Sequence, residues 1–339
     1  MKQAFCALAI TGALIVASGG GALADVVLGG PDSNDGSYST AQLATAAGGT
    51  TVDSGTGVTG ISLWAFLGGA NALNSTAPVY GAITTSTPAG DNGKNAILRY
   101  YLVATNATGQ QSVVSLGEID PNFGGTSSPA PIVAFKNTGG GLLSAPELVL
   151  PNQPGRDLTN LTSLQILSVP ALPGPPPTSV PSTAVQLSGN VAAPGSYSLT
   201  DLQNKFTPVH PAILGDTYTG VPLWTFLNPT AVGTTNQIVT TQGTDGYEVV
   251  LALAELDPTL GGNPNDLLPY ADNGGNFPGD GVARTIYATD NKQGRWESNL
   301  DAVNVAEAPE PGSLTLLAVG LAALGTAWRR RQTAATRQR

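Results

Sequence analysis

Four short blocks occur twice in this chain, in the same order. Ser37-Tyr38-Ser39 with Leu43 returns as Ser196-Tyr197-Ser198 with Leu202. Thr59-Gly60-Ile61-Ser62-Leu63-Trp64-Ala65-Phe66-Leu67 returns as Thr219-Gly220-Val221-Pro222-Leu223-Trp224-Thr225-Phe226-Leu227. Leu116-Gly117-Glu118-Ile119-Asp120-Pro121 returns as Leu253-Ala254-Glu255-Leu256-Asp257-Pro258, and Arg156 with Asn160-Leu161 returns as Arg295 with Asn299-Leu300. A repeat this long is a whole domain written twice, not the unit of a solenoid. Between the copies, Pro170-Ala171-Leu172-Pro173-Gly174-Pro175-Pro176-Pro177 cannot continue a strand or a helix and reads as an extended spacer. The first copy is therefore placed at 25–169, the linker at 170–182 and the second copy at 183–306.

Within a copy, short helices alternate with strands. Ser198 or Thr200 can cap a helix that carries Leu199, Leu202 and Phe206 at helical spacing. The Leu-Trp-x-Phe-Leu block reads as a second, apolar helix. Residues 237–241 and 246–253 form a hairpin around Asp245-Gly246, matched in the first copy by 97–105 and 110–116. Segments 283–288 and 300–305 complete the second copy as strands. The class expected is α+β, two tandem mixed domains with mainly β cores.

The regions outside the copies carry targeting signals. Residues 1–24 hold one charge, Lys2, then an apolar run and Ala22-Leu23-Ala24, the order of a secretory signal helix. At the other end, Pro309-Glu310-Pro311 precedes the apolar stretch 313–328 and Arg329-Arg330-Arg331. That stretch is somewhat short of the roughly 20 residues of a spanning helix, and the arginines would stay on the cytoplasmic side. The three parts in this order resemble the PEP-CTERM sorting signal, over 308–331, with 332–339 as a cytoplasmic tail. The resemblance implies Gram-negative export, a transmembrane helix held in the inner membrane, recognition by an exosortase-type membrane protease, and a final place at the cell surface or in the extracellular matrix.

Between the two ends, residues 25–309 keep eight Lys/Arg against 22 Asp/Glu, a net charge near −14. Such a surface repels nucleic acid and anionic membranes. The single cysteine is Cys6, inside the signal segment, so the exported body has neither disulfide nor thiolate ligand.

Thr219-Gly220-Val221-Pro222-Leu223-Trp224, Gly243-Thr244-Asp245-Gly246-Tyr247, Leu253-Ala254-Glu255-Leu256-Asp257 and Gly294-Arg295-Trp296 with Asn299-Leu300 resemble the molybdopterin-binding oxidoreductase domain of the sulfite-oxidase type. The resemblance covers nearly all of the second copy and, more faintly, the first. It implies that fold in both copies and a pterin-held molybdenum. The cysteine that ligates the metal in sulfite-oxidase members has no counterpart here, and an anionic cofactor would find one His and few Arg. The expectation is an inherited fold without a cofactor, and a protein that is not an enzyme. The alternative is an oxidoreductase whose pocket holds molybdopterin through Arg295, Arg284 or Lys292.

Other residues are weighed the same way. His210, the only histidine, cannot build a zinc site or a triad by itself and reads as solvated or locally bonded. Arg156 and Arg295 read as structural clamps sooner than anion contacts. The Glu-x-Asp-Pro corners could be acid–base pairs, but an Asp-Pro turn explains them more simply. Asp272 and Asp280, in a Gly-rich acidic loop, are weak calcium candidates without EF-hand spacing. Trp64 and Trp224 read as core, and Trp296 as an exposed ring able to stack on a sugar. A calcium- or glycan-binding adhesin, with exopolysaccharide as partner, is the third reading.

Overall fold

The repeated blocks build the same elements in both halves. The computed structural model describes residues 25–30, 36–47, 51–67, 96–125, 129–169, 172, 178, 180–277, 279 and 281–309. The first half runs β1 (Val26–Gly29), β2 (Gly36–Tyr38), α1 (Thr40–Ala46), β3 (Val52–Asp53), β4 (Val58–Ser62), α2 (Leu63–Phe66), β5 (Tyr100–Asn106), β6 (Gln111–Ser115), α3 (Leu116–Ile119), β7 (Ile132–Asn137), β8 (Leu142–Val149) and β9 (Leu161–Ser168). The second runs β10 (Val185–Gly189), β11 (Gly195–Tyr197), α4 (Leu199–Lys205), β12 (Ala212–Ile213), β13 (Asp216–Pro222), α5 (Leu223–Leu227), β14 (Gln237–Gly243), β15 (Glu248–Ala252), α6 (Leu253–Leu256), β16 (Leu267–Asp272), β17 (Gly275–Asn276) and β18 (Leu300–Glu307). Each half has a five-stranded sheet, β2-β1-β9-β5-β6 or β11-β10-β18-β14-β15, and a four-stranded sheet, β3-β4-β7-β8 or β12-β13-β16-β17. The first strand of each half pairs in parallel with the last, β1 with β9 and β10 with β18, which closes the half on itself.

The local chemistry explains why the blocks recur. Ser39 and Ser198 each cap a helix in a reciprocal box, with Gln42 and Asp201 reaching back to the cap. Phe66 meets Tyr38 edge-on with ring centroids 5.2 Å apart, and Phe226 meets Tyr197 at 5.3 Å. The Ser-Tyr-Ser block and the Leu-Trp-x-Phe-Leu block are thus two sides of one core contact. The Thr-Gly pair marks a bulge in β4 against β7 and in β13 against β16. A Cβ on Gly60 would lie 2.2 Å from the Val133 carbonyl oxygen, and one on Gly220 would lie 2.3 Å from the Pro269 Cα. Only glycine lets these strands approach so closely.

Some expectations need correction. Segment 283–288 is not a strand; it meets β16 through one bridge, Leu267 with Ile286, and the Arg284 N–H on the Pro269 carbonyl, while Thr285 N–H turns away to the Glu297 carbonyl. Residues 97–99 belong to a 3₁₀ turn, Ala96–Arg99, and the strand begins at Tyr100. Among the described residues, no helix is long and apolar enough to cross a membrane. The expected signal helix at 1–24 and the apolar stretch 313–328 lie outside the described residues.

The halves are fused, not strung apart. Strands β5, β6, β14 and β15 are buried along nearly their whole length on both faces. Tyr101, Val103, Val113 and Val169 of the first half form one apolar cluster with Ile238, Val250, Ala252 and Ala308 of the second. Burial there pushes the Tyr101 phenol up to about 12. Val113 N–H donates to the Thr235 carbonyl at 2.7 Å, and Arg99 pairs with Glu248 across the junction at 2.5 Å.

Candidate functional site

The third repeated block supplies the centre of the junction. Each edge strand, β6 or β15, runs directly into a one-turn helix, α3 or α6, and that turn points Glu118 and Glu255 at each other. Ser115 links them: its Oγ accepts the Glu118 N–H at 3.1 Å and donates to Glu255 Oε2 at 3.0 Å. The fourth block supplies the counter-charges. Arg156, fully buried, holds both Glu118 oxygens through Nη1 and Nη2 and donates from Nη2 to the Val113 carbonyl at 2.6 Å. Arg295 donates from Nη1 to Glu255 Oε1 at 2.9 Å. Its Nε and Nη2 grip Asp290 at 2.9 and 2.6 Å, and its guanidinium lies 4.8 Å over the Tyr287 ring.

A cavity of about 370 Å³ opens on this cluster. Glu118, Gly124, Pro131, Pro151, Asn152 and Gln153 line it from the first half, and Glu255, Asn263, Asp266, Thr289 and Arg295 from the second. The two sides are pseudo-symmetric but chemically unequal. Leu63 N–H bonds the Pro131 carbonyl where Leu223 N–H bonds that of Asp266, so Pro131 and Asp266 are equivalent positions. Counting back from Arg156 and Arg295, Pro151 and Asp290 are equivalent too. The second half therefore carries two carboxyls where the first has prolines.

Charge distribution follows from this count. Burial favours the neutral form of Glu118, but the charge and hydrogen bonds of Arg156 outweigh it and hold its carboxyl below the usual range. Glu255 goes the other way: burial, reinforced by the neighbouring Glu118 charge, pushes it well up against the pull of Arg295. The two carboxyls therefore titrate as a pair, with a proton favoured on Glu255 over Glu118. Burial also raises Asp266, to about 7, opposed only in part by the Ala288 N–H and by Arg295.

The residues singled out in the sequence fall in separate places. Arg295 lines the cavity; Arg284 and Lys292 do not. Arg284 stacks 4.5 Å over the Phe277 ring, and exposed Lys292 bonds Asn122 Oδ1 at 2.9 Å. Asp120 and Asp257 set turns, accepting the Asn122 and Thr259 N–H at 2.8 Å each. His210 is exposed and bonds Thr219 Oγ1 at 3.0 Å. Trp296 is not the exposed ring expected: it is 8% exposed and packs edge-on against Tyr218, so it has no face to offer a sugar. Asp272 ends β16; Asp280 lies outside the described residues. Among the described residues, no three His, Cys, Asp or Glu side chains are placed to hold a metal. Sequence reasoning missed Asp266 and Asp290 because neither belongs to a repeated block; their mark is the exchange of proline for aspartate between aligned copies.

Pro309 is exposed just beyond β18; Glu310, Pro311, Arg329, Arg330 and Arg331 lie outside the described residues. The family of the PEP-CTERM protein-sorting motif matches residues 307–331. That match marks the chain for export and for sorting by an exosortase-type system, a membrane protease. No curated protein matches the chain.

Proposed function

We propose that this is an exported cell-surface or matrix protein whose duplicated body is non-catalytic. The observation that carries the reading is the sorting motif at 307–331, which starts on the last residue of β18 and so delivers the fused body as one unit. On this reading the chain is held in the inner membrane through 313–328 until the exosortase acts, and the body faces exopolysaccharide outside. The halves are read as molybdopterin-type domains that have lost their cofactor. The residues present do not fit that group: the cavity wall holds Glu118, Glu255 and Asp266, and the one cation on it among the described residues, Arg295, is already bound by Asp290 and Glu255. A pterin phosphate would need free cationic donors there. The opening at Arg295 is the one feature in favour of the oxidoreductase alternative. Two measurements test the proposal. Fractionation should find the body outside wild-type cells and retained in the membrane of cells lacking exosortase. Pterin and metal analysis of the exported protein should find neither in stoichiometric amount, and one molybdopterin per chain would overturn the reading.

A further inference from the structure

The junction cavity holds more carboxyls than cations can neutralise. Arg156 and Arg295 face Glu118, Glu255, Asp266 and Asp290, and Arg295 is engaged by Asp290 and Glu255. Among the described residues no Lys or Arg forms an ion pair with Asp266; Arg295 reaches it only through its field. It is 7% exposed and lines the cavity; its Oδ1 accepts the Ala288 N–H at 2.9 Å. A buried carboxylate in that position either keeps a proton or recruits a cation. The equivalent position in the first half is Pro131, so the fold does not require an acid there. The cavity, about 370 Å³, lies within the roughly 300–1,000 Å³ of small-molecule sites. The acids are not grouped for a metal ion, which needs its ligands converging on one point. An ammonium has no fixed coordination number: one close carboxylate can hold it, and its other N–H donors can bond neutral oxygens or water.

We propose that the cavity between the two halves binds a small ligand bearing a primary ammonium group, held by Asp266, with the Glu118–Glu255 pair on the same cavity wall. Asn152 and Asn263 on the rim supply amide donors and acceptors to the rest of the ligand. The inference does not depend on the sorting route. Amines and amino sugars share the required chemistry, and the probes separate them.

The test uses calorimetry on the full chain with putrescine at pH 8, and with glucosamine and its neutral counterpart N-acetylglucosamine at pH 7. Binding of putrescine, of glucosamine, or of both supports the site, and the pattern names the source. Asp266→Asn should weaken that binding by about tenfold or more, the size of one charge-assisted hydrogen bond. If that variant fails to fold, the unaltered chain decides: putrescine affinity should drop by about tenfold or more between pH 8 and pH 5.5, as Asp266 takes up a proton. Of the charged groups around Asp266, Asp290 reinforces this trend and Arg295, which keeps its charge throughout, opposes it; Glu118 and Glu255 share the cavity wall with it. No amine binding, equal binding of N-acetylglucosamine and glucosamine, or a folded Asp266→Asn variant with unchanged affinity would each overturn the proposal.

Discussion

At the scale of single residues, the junction makes Arg156 the most exacting position in the chain. It is fully buried, and among the described residues it is the cation paired directly with Glu118. Arg156→Met keeps much of the volume but leaves that carboxylate unpaired, which costs on the order of 3–5 kcal/mol. Urea unfolding should show the loss, and the double variant with Glu118→Gln should recover part of it. The raised groups make a second prediction. Asp266 and Glu255 bind protons in the folded state that the unfolded chain releases near pH 4. The stability they confer is full below that value and is lost as pH rises through their folded values, for Asp266 at about 7. For Asp266 alone the difference is on the order of 4 kcal/mol. Glu118, held low, acts in the opposite sense, conferring stability that is lost as pH falls below the ordinary carboxylate range. Unfolding midpoints should therefore be higher near pH 5 than at pH 8. Asp266→Asn should flatten that slope, and a stability that rises across this range would refute the assignment.

At the scale of elements, much was legible because the signals are local. Of the two candidate caps, Ser198 and Thr200, the helix starts on Ser198, and the hairpin forms around Asp245-Gly246. Segment 283–288 failed because its residues suit a strand while its backbone partners are divided between Pro269, Leu267 and Glu297. Which of these a chain chooses is decided by tertiary contacts that no short window contains. The Thr-Gly bulge lies between these cases: the repeat flags the glycine, but only the strand behind it supplies the reason. Gly220→Ala should cost about 1–3 kcal/mol by overpacking against the Pro269 backbone, and Gly60→Ala the same against Val133. Gly274, which has open space around it, should tolerate alanine sterically, the residual penalty coming from its φ of +84°. Thermal melts of the three variants would separate close approach from backbone conformation.

At the scale of the molecule, the proline run marks the border between the copies but says nothing of how the halves pack. The clue was present in runs such as Tyr100-Tyr101-Leu102-Val103-Ala104 and Val249-Val250-Leu251-Ala252, which are apolar without alternation. Such runs mark strands buried on both faces, and within one half of this size only a second half can cover the outer face. Glu118 and Glu255 were recognised as equivalent, but equivalence does not reveal that a pseudo-twofold arrangement brings the pair together. The fused body predicts its own mechanical behaviour. If the apolar cluster around Val113 and Val250 and the Arg99–Glu248 pair hold the halves, the covalent link between them is dispensable once folding is complete. A protease site built in place of Gly174, cut after purification, should leave both fragments eluting as one species of unchanged size. Val250→Asp would bury an unpaired charge in the cluster and should release the cut fragments from each other. Separated halves would expose β6 and β15 as bare edges, so the released fragments should aggregate more readily than the intact chain. Fragments that part after cleavage without that substitution would show that the linker, not the junction, keeps the cavity assembled.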